Sequence, residues 1–231
     1  MGQVITIQAD ILYIVVITAI LCVFCYMCGN AFKKAEVMDQ PKGLVNVAMI
    51  LVDTVDGMVV QNTSKERAKT LAPYILALAM YLVVCNWFGL TGFPAPTANY
   101  SVTLSLAFIT FVLKEREAIK TNGWGDYIKG FFDPIPPFVI PNFFGMIAPL
   151  ISMSLRLFGN LLSGTIILTL VYAFTGWVSS MVPVIGTFNF VGPLLAPFLH
   201  AYFDVFSGFI QMFIFITLTQ VFIGNNLPSE D

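Results

Sequence analysis

Long apolar runs alternate with short polar connections along this chain, and the run lengths say what each run can be. A helix crossing a bilayer needs roughly 20 apolar residues, within about 17–25. Residues 11–27 and 71–90 fit that length. Residues 97–113 are short but uncharged and predict a third span, reached from the second through a tight Gly/Pro turn at 91–96. Two longer stretches follow. Residues 138–176 carry one charge, Arg156, and residues 183–224 carry one, Asp204. Each would be roughly 60 Å long as a helix at about 1.5 Å per residue. The hydrocarbon core is only about 30 Å thick, so each must tilt steeply or break in two, with 176–183 as the bend between them.

Residues 43–60 have a different pattern. Asn46, Asp53, Thr54 and Asp56 interrupt a set of Val, Met, Leu and Ile. This predicts an amphipathic helix on the cytoplasmic membrane surface. The equal alternative is a surface helix packed on the chain's own spans. The sequence shows no internal repeat. The expectation is one all-α integral membrane domain over 1–231, with five crossing helices, one cytoplasmic-surface amphipathic helix, and a long tilted hairpin at the end.

Composition sharpens this picture. Of 231 residues, 58% are hydrophobic and 10% are charged, against about 25% charged in soluble domains. A net charge of −2 offers no general attraction for nucleic acid. Cys22, Cys25 and Cys28 are spaced like half of a metal motif, but no second ligand pair follows. They read as small apolar residues of a bilayer helix, and neither a metal nor a disulfide framework is expected. No Lys or Arg precedes the first apolar run, so that run is expected to be a retained helix and not a cleaved signal. The chain has no GxxxxGK[ST] loop and is expected to bind no nucleotide.

Lys and Arg positions orient the spans. Lys33, Lys34 and Lys42 follow the first span, and Lys65, Arg67 and Lys69 precede the second. Lys114, Arg116, Lys120 and Lys129 follow the third, while residues 1–8 and 91–100 have neither residue type. The positive-inside rule places the N-terminus outside, the charged loops in the cytoplasm and, after five crossings, the C-terminus in the cytoplasm.

Arg156 is the exception among eleven Lys and Arg residues. An Arg at a helix centre costs about 2.5–3.5 kcal/mol on insertion scales. The apolar segment from 147 to 172 is too long on both sides for it to snorkel to the interface, so a functional role is indicated. At 100° per residue, Ser152, Arg156, Gly159, Asn160 and Ser163 share one stripe, small enough for another helix to approach closely. A second stripe holds His200, Asp204, Ser207, Gly208 and Gln211. Asp and His exchange protons, as a relay requires, whereas Arg stays charged. The competing reading is that Asp204 simply cancels the charge of Arg156.

Beyond these physical arguments, three segments resemble the subunit a family of rotary F-type ATP synthases. They are SLRLFGNLLSG at 154–164, PTANYSVTLSLA at 96–107 and IQMFIFITLTQVFIG at 210–224. Asn86, Gly89 and Leu90 also fit the end of that family's second span. The resemblance covers nearly the whole chain in order. It implies five crossing helices with a surface helix, the last two membrane helices lying tilted against a ring of c subunits. It implies that Arg156 is the essential arginine and that Asn160 and Gln211 line the ion path. Ser163, Thr165, His200, Asp204 and Ser207 complete the expected pathway. The implied partners are the c-ring, peripheral-stalk b subunits and membrane lipid, with no cofactor, in a multi-subunit complex of a bacterial plasma membrane.

The chain departs from the family pattern in places. Thr165 stands where the family often has Glu, and Asp204 stands where it often has His or another polar group. Residues 141–155 hold no acid, and Asn99 replaces the usual Asp of the turn. The carboxylate has in effect crossed to the neighbouring helix. A secondary ion transporter or channel is the alternative reading. Transporters commonly show internal repeats and broken helices around a substrate site.

Overall fold

The computed structural model describes residues 9–34, 43–133, 135–181 and 191–225. Among them every regular element is helical: α1 (Ala9–Lys34), α2 (Leu44–Asn62), α3 (Lys65–Trp87), α4 (Tyr100–Gly130), α5 (Val139–Ser180), α6 (Val191–His200) and α7 (Ser207–Gly224). A π-helical turn, Ala201–Phe206, joins α6 to α7, and short 3-10 turns at Phe88–Thr91 and Pro96–Ala98 join α3 to α4. The chain is an all-α protein whose described residues include five helices long and apolar enough to cross a membrane.

The membership of those five differs from the sequence expectation. Length and composition select Leu44–Asn62 and leave out the helix that contains residues 97–113. That helix starts at Tyr100, where the side chain of Asn99 accepts a hydrogen bond from the Ser101 amide at 3.0 Å, and it runs on to Gly130. Lys114 ends the apolar run but not the helix, because charge interrupts burial without removing a backbone hydrogen bond. A break in helical dihedrals comes only at Gly123, with φ 76°, in the left-handed region that glycine enters freely.

α5 settles the choice between tilting and breaking for the fourth run. It is one helix of 42 residues, with Pro149 inside it, about 63 Å long at 1.5 Å per residue. It passes through Gly176, where the bend was expected, to Ser180; residues 182–190 lie outside the described set. The final run is interrupted instead at its π-turn, where the wider spiral frees backbone carbonyls.

Between α2 and α3 lie only Thr63 and Ser64. α2 buries Ala48, Val55 and Val59 and leaves Asp53 and Asp56 exposed. Val55 and Val59 join Ala68, Ile75 and Leu82 of α3, Ala107 of α4, Met153 and Leu157 of α5, and Phe215 and Ile216 of α7 in one core. The end of α7 docks on the α2–α3 turn. Asn62 Nδ2 donates to Gln220 Oε1 at 2.8 Å, and a Cβ on Gly224 would collide with the Asn62 carbonyl oxygen. At the charged end of the bundle, Arg67 meets Glu117 at 2.6 Å. Tyr127 donates to Glu115 at 2.6 Å, and its phenol is pushed up by burial and then by that bond. Large apolar side chains elsewhere face outward, Phe198 at 75% and Leu170 at 63% exposure among them. In water such a surface would drive association.

Candidate functional site

α5 is two-faced, and its faces are assigned by packing. Met153, Ser154, Leu157, Leu168, Thr175 and Ser179 are buried against the bundle. Ser152, Arg156, Gly159, Asn160 and Ser163 are all exposed. The small-residue stripe therefore packs against nothing within the described chain, and a Cβ on Gly159 would meet no atom within 4 Å. Leu157 is 1% exposed, while its neighbour Arg156 faces out. Arg156 has no hydrogen bond or ion pair among the described residues. The hydroxyls along this helix bond back to their own turn: Ser163 to the Asn160 carbonyl at 3.0 Å and Thr165 to the Leu161 carbonyl at 2.9 Å.

The second stripe points inward. His200, Asp204 and Ser207 are half-buried, and Gly208 and Gln211 are buried. The π-turn aims the stripe, and α3 holds the turn. Trp87 Nε1 donates to the Val205 carbonyl at 3.1 Å, and Asn86 Nδ2 donates to the Gly208 carbonyl at 3.0 Å. Thr97 in turn donates to Asn86 Oδ1 at 3.0 Å. These bonds tie carbonyls at the end of the π-turn and the start of α7 to α3. Gly208 allows a close approach here, since a Cβ would lie 3.1 Å from Asn86 Cβ and 3.2 Å from Trp87 Cδ1, tighter than ordinary contact.

Asp204 pairs with His200. Asp204 Oδ2 lies 2.5 Å from His200 Nδ1, and His200 Nε2 lies 2.9 Å from the hydroxyl of Tyr172 on α5. The counter-ion reading, in which Asp204 cancels Arg156, has no support from this pairing. Nor do the two sit on one side of the helix pair. At 100° per residue Tyr172 stands about 160° around α5 from Arg156, and about 24 Å along it. Thr165 lies within about 20° of Tyr172. A Cβ on neighbouring Gly164 would be 3.8 Å from Phe203, the residue before Asp204. Phe203 thus meets α5 next to Thr165 in the chain. The same antiparallel pairing, followed an equal number of steps along each helix, brings Arg156 to about the level of Gln211.

Tyr172 was not legible as a site residue in the sequence, where it closes an apolar segment. The signal available was the spacing Thr165, Thr169, Tyr172, a polar i, i+4, i+7 series on one face.

A family model described as ATP synthase A chain matches residues 11–224. The chain belongs to the ATP synthase A chain family. Among its relatives, the ATP synthase subunit a of Chloroherpeton thalassium is 28% identical over 223 residues, covering 92% of this chain and 64% of that protein. The ATP synthase subunit a of Priestia megaterium is 29% identical over 238 residues, covering 96% and 93%. The sodium ion specific ATP synthase subunit a of Propionigenium modestum is 33% identical over 175 residues, covering 68% and 55%. The chain thus spans less than two thirds of the first and third of these relatives and nearly all of the second. Within the A chain family frame, the π-turn and its α3 clamp are the local devices that carry Asp204 and His200 to α5.

Proposed function

We propose that this chain is the ion-conducting stator subunit of the membrane sector of a rotary F-type ATP synthase. One observation carries the reading: an arginine midway along an apolar helix faces outward, in a stripe of small and polar residues, with no partner among the described residues. Facing lipid, that guanidinium would be left without a hydrogen-bond acceptor. Facing a ring of small subunits that each carry a carboxylate, it has a partner that arrives and leaves. Arg156 stabilises the ionised carboxylate as it passes and, by staying charged, blocks direct leakage.

An ion enters by one half-channel, rides the ring and leaves by the other. His200, Asp204 and Ser207, with Asn160, Ser163, Thr165 and Gln211, line the route on this subunit. The offset of the His200–Asp204 pair around α5 from Arg156 supports two separate half-channels, because the helix body stands between them. A proton crossing the field yields about 2.3 kcal/mol per 100 mV, so several crossings are needed per ATP.

Charge placement supports an outside N-terminus and a cytoplasmic C-terminus in a bacterial plasma membrane. Lysines flank both ends of α2, Lys33, Lys34 and Lys42 before it and Lys65 and Lys69 after it. Both its ends then lie on the cytoplasmic side, so α2 runs along that surface in spite of its length. α4 takes its place as the fifth crossing. Peripheral-stalk b subunits and lipid cover the remaining apolar surface. Purification of the tagged chain from mild detergent tests the reading. A small ring-forming protein with one membrane carboxylate should accompany it, and recovery of the chain alone as a working transporter would refute the stator role.

A further inference from the structure

Both ring nitrogens of His200 are engaged, and the role of Tyr172 follows from which partners they have. Tyr172 Oη lies 2.9 Å from Nε2, with the two rings 6.1 Å apart at 34°. Asp204 Oδ2 lies 2.5 Å from Nδ1. A histidine that passes protons visits neutral and charged forms, and its nitrogens change roles between them. With Nδ1–H directed at the carboxylate, the neutral ring offers a lone pair at Nε2 and needs a donor there. The imidazolium carries a hydrogen on Nε2 and needs an acceptor. A backbone carbonyl serves only the forms with a hydrogen on Nε2, and an amide N–H only the form without one. A hydroxyl serves both by rotating about its C–O bond.

From α3 the adjacent turn receives the uncharged Asn86 and Trp87. The connection at 182–190, VPVIGTFNF, has no ionisable side chain in its sequence. Arg156 is on the far side of α5.

We propose that Tyr172 is a positioning residue for proton transfer between His200 and Asp204, donating to Nε2 of the neutral ring when Nδ1 holds the proton and accepting from Nε2–H of the imidazolium and of the neutral ring that the transfer leaves. The proposal rests on the reading of His200 and Asp204 as part of the ion path. In the transfer, the Nδ1–H bond of the imidazolium breaks and an O–H bond forms on Asp204. The ring is left neutral, with its remaining proton on Nε2 donated to Tyr172. One proton moves and no other group changes charge. Without the hydroxyl, Nε2 loses this partner in every form, and the ring is free to turn away from Asp204.

The test is proton flow through the whole complex in inverted vesicles, measured across a pH series. Tyr172→Phe keeps the ring and its packing. It should lower the flow about fivefold, the value of one hydrogen bond, and displace the pH profile. In a His200→Ala background it should add nothing further, as coupled sites require. Two results overturn the proposal: an unchanged rate and profile, or an equal fractional loss at every pH with less assembled subunit, which marks a packing role. Asp204→Asn separates the two levels of the argument. Normal conduction by that variant brings down the underlying path along with Tyr172. An impaired Asp204→Asn beside a normal Tyr172→Phe removes the tyrosine alone.

Discussion

α5 and the helix formed by α6, the π-turn and α7 carry the same kinds of residue in opposite settings. On the last helix the polar groups turn inward and find partners in the chain: His200 with Asp204 and Tyr172, and the Gly208 carbonyl with Asn86. On α5 the stripe through Arg156 turns outward, and its charge has no partner among the described residues. Both stripes read alike on a helical wheel. The difference teaches that a polar stripe in a membrane protein divides into two kinds, those the chain completes itself and those another molecule must complete.

The strongest way to break this comparison is to remove the charge that waits for a partner. Arg156→Ala should abolish ion-driven ATP synthesis in vesicles while the complex still assembles, because no described residue bonds or pairs with the guanidinium. Arg156→Lys should also fail badly, since a compact ammonium lacks the planar fork and shifts its pKa readily. Near-normal synthesis in the alanine variant would end the reading of α5 as the incomplete face.

Glycines on the two helices give the next sharpest contrast. Gly208→Leu should prevent accumulation of folded subunit, since even a Cβ there meets Asn86 and Trp87 at 3.1–3.2 Å. Gly159→Leu should leave the subunit folded, with open space at that position, yet uncouple the assembled complex by holding the ring away. Immunoblots of the membrane fraction read the first outcome, and proton pumping in vesicles reads the second. Equal loss of folded subunit in both variants would erase the distinction between the faces.

The smallest effect belongs to the clamp. Asn86 is 1% exposed and bonded to both Gly208 and Thr97. Asn86→Leu should destabilise the fold by about 1–3 kcal/mol, the penalty for stranding buried polar groups. It should appear as a lower unfolding midpoint in detergent, with Arg156-dependent coupling retained at low temperature.

The sequence made part of this legible. The overlong fourth run required either tilt or breakage, because its length exceeds the bilayer whatever its packing, and the 42-residue α5 is the unbroken solution. Arg156 stood out because a charge in an apolar run carries its cost wherever the helix sits. What the pattern could not give was the sign of each face. Periodicity groups residues on a stripe but does not say whether the stripe is covered, so Asp204 could equally have met Arg156 or His200. The π-turn was hidden for a related reason. Its partners on α3, Trp87 and Asn86, lie more than a hundred residues away, and no local rule on 201–206 reports them. Tyr172 was passed over because a tyrosine is apolar enough to continue a run.

The bond between Asn62 and Gln220 joins residues 158 positions apart, and it has a consequence in time. Ribosomes add roughly 5–20 residues per second, so the turn between α2 and α3 emerges roughly 8–30 s before the segment that caps it. For that interval the amide of Asn62 is without Gln220, and the first hairpin is unlocked. The closure that ties the end of α7 to that hairpin therefore waits until α7 itself has been made. Quality control that watches for an open α2–α3 turn would sense, in one place, whether the chain has been made through to α7.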